Sequence, residues 1–380
     1  MDYNKKSLAL HKKNKGKIEI KSKVPLKTKN DLSMAYTPGV GAVCMEIKKD
    51  KKKSWELTNR ANQIAIISDG TAILGLGNIG PEAGMPVMEG KAVIFKEFAN
   101  IDATPLCINS TDPEEVIKFI KLIEPSFAGI NIEDIAAPSC FAILNCLEKE
   151  LSIPVFHDDQ DGTAIVVVAA LINACRISGK VLNELKIAIS GAGAAGIAIA
   201  RLLLFQGVKN IILADSRGSI YEGRKNLNEF KKEIAKKTNK KKIKGSLAEA
   251  MTGTDVFVGV SRAGIVSAEM VKSMNKEPIV FPMANPVPEI LPNIALKAGA
   301  KIVGTGRSDY PNQINNALVF PGIFRGLLDS GKKKISAKMK LSAAIALAYV
   351  VKKPHKNNIL PNITDKRAVK AIARAVIKSK

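Results

Sequence analysis

Residues 185–215 read LKIAISGAGAAGIAIARLLLFQGVKNIILAD and decide the fold of the chain. An apolar run over 187–189 has the composition of a buried parallel strand, and glycines follow it at GxGxxG spacing. A helical apolar run over 194–206 ends at Gly207, and a second apolar strand closes on Asp215. This order of strand, glycine loop, helix and acid-terminated strand predicts a βαβ unit that binds a dinucleotide.

The glycine loop predicts how the dinucleotide is held. Gly191 permits a tight turn, Gly193 lets the backbone approach a pyrophosphate, and Gly196 lets helix and strand pack closely. Free N–H groups at the start of the helix favour an anion there. The predicted cofactor-binding residues of this loop are Gly191, Ala192, Gly193, Ala194, Ala195 and Gly196.

The residues at the end of the second strand are compatible with either of two cofactors. The carboxylate of Asp215 can accept a hydrogen bond from the ribose 2′-hydroxyl of NAD⁺. Ser216 and Arg217, which follow it, can instead accommodate the 2′-phosphate of NADP⁺. We expect a preference for NAD⁺, with NADP⁺ as the alternative.

Length and composition indicate a globular α/β protein with two domains. A chain of 380 residues is too long for one compact core. We predict an N-terminal α/β domain with parallel βαβ units over 1–160, which carries the catalytic and metal residues, and a Rossmann-like NAD(P)-binding domain over 161–380. Residues 1–35 are polar and weakly periodic, which is typical of an arm or of short helices used in packing or dimerisation.

Charge and cysteine content indicate the partners and the compartment. The net charge of +23 comes mostly from lysine, and aromatic residues make up only 5% of the chain. Nucleic-acid surfaces use arginine forks and stacking rings, so we predict no nucleic-acid partner and a small-molecule substrate instead. The five cysteines form no CxxC pair, and we find no export signal and no membrane span, so we expect a cytoplasmic protein.

A second GxGxxG pattern occurs at Gly75, Gly77 and Gly80. We expect no long helix after it, because proline and glycine at positions 81, 84 and 86 break the next turns. No second strand with an acidic end follows at the right distance either. We therefore interpret this segment as a loop whose backbone N–H groups approach an anionic substrate.

Lys91 enters an apolar run, Ala92 to Phe95. Burial of an ammonium group lowers its pKa, and a lowered pKa suits a lysine that acts as a general base. The alternative is a lysine whose stem is buried while its head reaches water.

Acidic side chains follow two predicted strands. Glu133 and Asp134 end the strand in FAGINIED, and Asp158 and Asp159 end the strand in PVFHDD. Because parallel strands of successive βα units deliver their carboxyl ends to one edge of a sheet, these acids should converge. Oxygen ligands at such a site predict Mg²⁺ or Mn²⁺, and separate solvated loop acids are the alternative. We expect His157, which lies beside them, to be structural.

The whole set of motifs resembles the malic enzymes, in their short bacterial form, over nearly the full chain. The matching stretches are YTPGV (36–40), LGLGNIGPEAGMPVMEGKAVIFKEFA (74–99), INIEDI (130–135), FHDDQDGTA (156–164), GAGAAG (191–196), ANPVPE (284–289) and NQINNALVFPGIFRG (312–326). The resemblance implies oxidation of L-malate to pyruvate and CO₂ with NAD(P)⁺ and Mg²⁺ or Mn²⁺. It also implies a homodimer.

The resemblance assigns roles residue by residue. It implies that Lys91 is the general base that takes the C2-hydroxyl proton of malate, and that Tyr36 is the general acid that protonates C3 after CO₂ leaves. We expect a close cationic neighbour such as Lys91 to tune the Tyr36 hydroxyl. The implied metal ligands are Glu133, Asp134 and Asp159. The implied substrate contacts are Gly75, Gly77, Asp158, Asn285 and Asn316, of which Asn285 also touches the nicotinamide.

One departure and several alternatives remain open. Longer, eukaryotic-type malic enzymes carry an arginine where this chain has Thr71-Ala72, so another group must bind the malate carboxylates. A malolactic-type enzyme, which retains NADH and forms lactate, would carry similar motifs. A basic nucleic-acid-binding protein and a catalytically inactive copy are disfavoured, the latter because Tyr36, Lys91 and the three metal carboxylates are all present.

Overall fold

The computed structural model describes residues 3–379 and contains two β-sheets. The strands of the first sheet are β1 (Gln63–Ser68), β2 (Asp102–Cys107), β3 (Gly129–Ile132) and β4 (Val155–His157). The strands of the second are β5 (Lys186–Ser190), β6 (Asn210–Asp215), β7 (Gly218–Ser219), β8 (Val256–Gly259), β9 (Ile279–Pro282) and β10 (Ile302–Val303). The first sheet has the order β2-β1-β3-β4 and the second β10-β9-β8-β5-β6-β7. Every pair is parallel except β6 with β7, so the predicted α/β class is confirmed.

Helices surround both sheets and form the chain ends. In chain order they are α1 (Tyr3–Asn14), α2 (Lys29–Ala35), α3 (Val40–Lys49), α4 (Ser54–Leu57), α5 (Pro81–Ala99), α6 (Pro113–Ile123), α7 (Ser139–Glu150), α8 (Thr163–Ser178), α9 (Ala194–Gln206), α10 (Glu229–Lys237), α11 (Leu247–Met251), α12 (Ala268–Lys272), α13 (Pro292–Lys297), α14 (Phe320–Ser330), α15 (Ala337–Ala348) and α16 (Lys366–Lys378).

Helix α5 corrects one expectation, because a long helix does follow the second glycine loop. Pro81 occupies the first turn, where a backbone N–H would have no intrahelical partner, so it starts the helix instead of breaking it. Pro86 lies inside and removes one internal hydrogen bond, at a cost of about 3 kcal/mol. The burial of a face that includes Gly84, Met88 and Phe95 offsets that cost. Tertiary packing therefore outweighs the local signal at Gly84 and Pro86, whereas Pro81 is explained by its place in the first turn.

The last helices connect the two halves of the chain. Phe320 and Phe324 of α14 stack on Phe95 of α5, with ring centroids 4.6 and 5.4 Å apart. Phe324 also meets the edge of Phe156 in β4. One apolar core runs through both sheets and these helices, and a second, smaller core includes Ala188, Phe257 and Val280 of the second sheet. Residue 160 lies between the last strand of the first sheet and the first strand of the second, and α14 packs against α5 and β4 of the first half.

One segment, Asp158–Ser178, is long and apolar enough to cross a membrane by length and composition. Its most apolar window is 72% buried inside the protein. Helix α8, which forms most of it, packs against α9 and α15. A buried core helix meets the same criteria, and burial here matches that class.

Candidate active site

The acidic residues predicted to converge lie together at one edge of the first sheet. Ile132 at the end of β3 pairs with His157 at the end of β4, so the residues that follow these strands are neighbours. Oxygens of Glu133, Asp134 and Asp159 lie within 4.8 Å of one another. Glu133 and Asp134 are almost fully buried. Separate solvated acids, the alternative interpretation, are therefore excluded for Glu133 and Asp134.

Backbone and side-chain bonds fix this arrangement. Asp134 has a φ of 52°, a left-handed conformation that aspartate adopts more readily than most residues. Its backbone N–H donates to Asp159 Oδ2 at 2.9 Å. Asn131 Nδ2, on β3, donates to Glu133 Oε2 at 3.2 Å. Asn131 was not predicted, although its place two residues before Glu133 on one strand face is a usable signal.

Lys91 extends from α5 into the acidic cluster. Its Nζ lies 2.8 Å from Glu133 Oε1, forms an ion pair with Asp158, and lies 4.6 Å from the ring centre of Phe320. Burial alone would lower the pKa of the Lys91 ammonium, but the charges of Asp158 and Glu133 outweigh burial and raise it. The expectation of a lowered pKa is therefore wrong for the cluster by itself. The sequence places the lysine in an apolar run but does not reveal the carboxylates around it.

The carboxylates themselves show that Lys91 alone does not balance their charge. Burial first, and then repulsion from Asp159, raise the pKa of Asp134. Burial likewise raises the pKa of Asp158 and of Glu133, against the pull of Lys91. Asp134 Oδ2 and Asp158 Oδ1 are buried without a hydrogen-bond partner anywhere in residues 3–379. Oxygen donors with unused lone pairs and surplus negative charge fit a hard divalent cation held by Glu133, Asp134 and Asp159.

The second glycine loop reaches toward the second sheet. Gly75 has a φ of 75°, and a Cβ built there would overlap the carbonyl oxygen of Asn285. Near its start the same loop contacts the acidic cluster, because Ala72 N donates to Asp134 O at 3.0 Å, so the loop lies between that cluster and the turn that carries Asn285. Thr71, at the position of the absent arginine, donates to Asp69 Oδ1 at 2.6 Å and accepts from Ala136 N at 2.9 Å. Thr71 thus ties the loop to the chain after β3.

The first glycine loop, after β5, has the geometry that a pyrophosphate needs. Gly191 has a φ of 108°, and a Cβ there would overlap Val260 O. A Cβ at Gly196 would overlap Gly191 O, so helix α9 packs too closely for any side chain. A Cβ at Gly193 would meet no atom within 4 Å, which leaves that backbone open to a ligand. A cavity of about 740 Å³ opens there, within the usual range for small-molecule sites.

Asn285 and Asn316 lie at different points of the site. A Cβ built at Gly306 would lie 2.9 Å from Asn285 Nδ2, so the amide packs against that backbone. A Cβ built at Gly162 would overlap Asp158 Oδ1 and lie 3.2 Å from Asn316 Cβ. Asn316 therefore belongs to the acidic cluster, and Asn285 belongs to the loop that joins it to the nucleotide cavity.

Glu289 is a second residue that was not predicted. It is fully buried and accepts from Ser261 N at 2.9 Å and from Ala284 N at 3.0 Å. These bonds hold the turn that carries Asn285 against the end of β8. An acid between prolines and apolar residues in ANPVPE is the signal that marks it.

Tyr36 is not joined to this cluster. It is 64% exposed, just before α3, and no hydrogen bond, ion pair or ring contact links it to Lys91 within residues 3–379. The expected close contact between Tyr36 and Lys91 is therefore absent from residues 3–379 of the single chain. Helices α1 to α4 contain no buried residue.

Comparison with known proteins agrees with this architecture. The family described as malic enzyme, NAD binding domain, matches residues 160–380, and the malic enzyme N-terminal domain matches residues 15–148. The bifunctional malic/malolactic enzyme of Bacillus subtilis is 52% identical over 100% of this chain and 93% of that protein. The NAD-dependent malic enzyme of Geobacillus stearothermophilus is 51% identical over 96% of this chain and 76% of that protein.

Two further similarities extend the comparison. An NADP-dependent malic enzyme of Escherichia coli is 48% identical over 88% of this chain, which spans only 44% of that protein. The crystal structure of the NAD-dependent malic enzyme of Thermotoga maritima superposes with a TM-score of 0.95 at 46% identity. That superposition covers 98% of this chain and 99% of the other.

Proposed function

The chain belongs to the malic enzyme family, and on that premise we propose that it oxidises L-malate to pyruvate and CO₂ while reducing NAD(P)⁺. One observation supports the proposal most strongly. The loop that carries Gly75 contacts both the buried cluster of Lys91 and carboxylates and the turn that carries Asn285. Glu289 links that turn to Ser261, which lines the nucleotide cavity.

Glu133, Asp134 and Asp159 would hold Mg²⁺ or Mn²⁺. When bound, such an ion supplies Lewis-acid polarisation of a substrate oxygen. The same three carboxylates would then direct their charge to the ion, so less of it would hold the proton on Lys91. That change favours the neutral amine that a general base requires.

Lys91 is the residue proposed to take the C2-hydroxyl proton of malate. Its Nζ is held by Glu133 and Asp158, so the amine keeps a fixed position at the cluster. Asp158 is proposed to contact the substrate and to keep Lys91 aligned. Exclusion of water from this buried corner strengthens each of these electrostatic contacts.

Substrate and cofactor contacts are proposed for the two loops that meet where Gly75 approaches Asn285 O. Backbone N–H groups of Gly75 and Gly77 would receive the malate carboxylates, in place of the arginine that is absent at Thr71-Ala72. Asn285 would contact substrate and nicotinamide, and Asn316 would contact the substrate. The open backbone at Gly193 supports a pyrophosphate at the start of α9. The bound nicotinamide dinucleotide would supply the hydride acceptor.

We propose a homodimer that covers the N-terminal segment. Large apolar side chains are exposed there on every helix, more than a monomeric surface usually carries in one region. They are Tyr3, Leu8, Leu10, Ile18, Ile20, Val24, Leu26, Leu32, Met34, Tyr36, Val43, Met45, Trp55 and Leu57. Burial of this segment would also remove Tyr36, the proposed general acid, from bulk water. Sedimentation equilibrium tests the proposal, and a monomer at micromolar concentration would contradict it.

A malolactic outcome is the second candidate, favoured by the similarity to the bifunctional malic/malolactic enzyme of Bacillus subtilis. In that case the NADH formed in the first step would stay bound and reduce pyruvate to lactate, and lactate and NAD⁺ would then be released. Lactate without free reduced cofactor would establish this outcome. We further propose that the chain is cytoplasmic and that its domains divide near residue 160.

The metal proposal has a direct test in the full chain. Titration of Mn²⁺, followed by electron paramagnetic resonance of the free ion, should show one tight site in the wild type. Asp159→Asn should weaken that site at least about tenfold and reduce malate oxidation, because one of three anionic ligands is lost. Glu124→Gln, a carboxylate outside the cluster that accepts from Ser152, is the control. Equal Mn²⁺ binding by all three proteins would contradict the ligand set.

A further inference from the structure

Glu289 carries a buried charge that the proposed reaction does not use. Its side chain is fully buried, at the end of the turn that carries Asn285. Oε1 accepts from the backbone N–H of Ser261 at 2.9 Å and from its hydroxyl at 3.3 Å, and Oε2 accepts from the backbone N–H of Ala284 at 3.0 Å. A protonated carboxyl group would need an acceptor for its own proton, whereas every partner here is a donor. These contacts therefore fit the ionised carboxylate.

No positive charge is paired with this carboxylate. Within residues 3–379, no lysine, arginine or histidine forms an ion pair with Glu289. Burial raises the pKa of Glu289, and the hydrogen bonds from Ser261 and Ala284 oppose that effect. The backbone of β8 is shaped to admit the side chain, because a Cβ built at Gly259 would lie 2.4 Å from Glu289 Cδ. Burial of an unpaired charge is costly, so a positive charge that arrives beside it is stabilised.

Glu289 lies on the side of the second sheet where the nicotinamide half of a dinucleotide belongs. A dinucleotide crosses the carboxyl edge of such a sheet, with one half on each side of the point where the strand order reverses. That point falls between β5 and β8 here. Asp215 ends β6 on the adenosine side, so the other half faces the end of β8. Gly259 is the last residue of β8, and Ser261, which follows it, lines the nucleotide cavity.

We propose that the Glu289 carboxylate stabilises the positive charge of the oxidised nicotinamide ring and so strengthens binding of the oxidised cofactor relative to the reduced one. The inference rests on the proposed function and deepens it by naming a residue that responds to the charge of the cofactor. The oxidised ring carries one positive charge and the reduced ring none, so a fixed anion distinguishes the two states. A buried charge acts over several ångströms because little water screens it. The ring loses this attraction once it has taken up the hydride, which favours release of the reduced cofactor.

Equilibrium binding in the absence of malate tests this proposal. NADH binding to the full chain is followed by its fluorescence, and NAD⁺ binding by displacement of NADH. Glu289→Gln keeps the size of the side chain and removes its charge. It should shift the ratio of the NAD⁺ and NADH dissociation constants at least about fivefold in favour of NADH. A distorted turn would instead weaken both forms by the same factor, and that result, or no change at all, would overturn the proposal.

Two variants serve as controls. Glu269→Gln removes the same charge from an exposed position on α12 and should keep the ratio within about twofold of the wild-type value, because water and salt screen it. Glu289→Asp keeps the charge and should keep the ratio, even if the shorter side chain weakens both forms. A ratio shifted as far by Glu289→Asp as by Glu289→Gln would overturn the proposal.

The wild type supplies the measurement if Glu289→Gln does not fold. It should bind NAD⁺ at least as tightly as NADH, and a clear preference for NADH would overturn the proposal. The outcome is separate from that of the reaction, because a ratio that Glu289→Gln leaves unchanged removes the charge effect and leaves malate oxidation intact. Failure of the wild type to bind either nucleotide would contradict the dinucleotide site on which both rest.

Discussion

The two glycines at the start of α9 should respond in opposite ways to the same added methyl group. At Gly196 an added Cβ would overlap Gly191 O and come within 2.9 Å of Gly191 C. The Gly191 backbone is itself held, because its N–H donates to Ala214 O at 2.8 Å. Helix α9 would therefore have to move, and overpacking of this kind costs about 1–3 kcal/mol. Gly196→Ala should lower the free energy of unfolding by that amount.

Gly193→Ala should behave differently. Its Cβ would meet no protein atom within 4 Å, and its φ of −97° is allowed for alanine. We expect the free energy of unfolding to change by no more than about 0.5 kcal/mol. The methyl group would instead occupy the approach of the pyrophosphate, so the affinity for dinucleotide should fall about tenfold or more.

Urea unfolding and isothermal titration of NADP⁺ measure the two effects separately. The expected pattern is a less stable Gly196→Ala and a normally stable Gly193→Ala with weak dinucleotide binding. The wild type and Gly179→Ala, a strained but distant helix-end position at φ 72°, calibrate the stability scale. Normal dinucleotide affinity in Gly193→Ala would refute the assignment of this loop to the pyrophosphate.

Three further predictions concern the two proton-transfer residues and the dependence of stability on pH. Lys91→Ala should reduce malate oxidation at least about a hundredfold by steady-state kinetics, while NADP⁺ affinity stays within about threefold; normal turnover would remove the general-base role. Tyr36→Phe should slow pyruvate formation more than oxaloacetate formation when both are assayed, and an unaffected pyruvate rate would contradict its role as the acid. Burial would raise the pKa of Asp255, but donors from Lys186 and Lys180 help hold it below 3.8. Its stabilisation should therefore be present above that value and be lost as the pH falls through the lowered pKa. Asp255→Ala should lower the free energy of unfolding by about 1–3 kcal/mol at pH 7 and by less below about pH 3, and a pH-independent difference between the two proteins would disprove the effect.

The parts of the fold that depend on local patterns could be predicted from the sequence. The strand, glycine loop, helix and second strand over 185–215 occur as expected, since turn, packing and helix-end requirements all act within one short segment. The meeting of Glu133 with Asp159 also followed, because it depends only on parallel strands that share an edge. Both predictions use rules that need no knowledge of distant neighbours.

The parts that depend on distant neighbours could not be predicted. The continuation of α5 past Pro86 is stabilised by contacts with α14, more than two hundred residues away. The raised pKa of Lys91 comes from carboxylates that only the fold brings near it. The donors to Asp215 from Arg224 and Lys231 likewise lie outside the dinucleotide motif, so the motif does not reveal them.

The reaction itself has one decisive measurement. The full chain is incubated with L-malate, Mn²⁺ and either NAD⁺ or NADP⁺, and free reduced cofactor, pyruvate, lactate and CO₂ are quantified in the same sample. We predict equal amounts of reduced cofactor, pyruvate and CO₂, all abolished by a chelator and restored by Mn²⁺. Formation of lactate without free reduced cofactor would establish the malolactic outcome instead, and oxaloacetate as the final product, or no product at all, would contradict the proposed function.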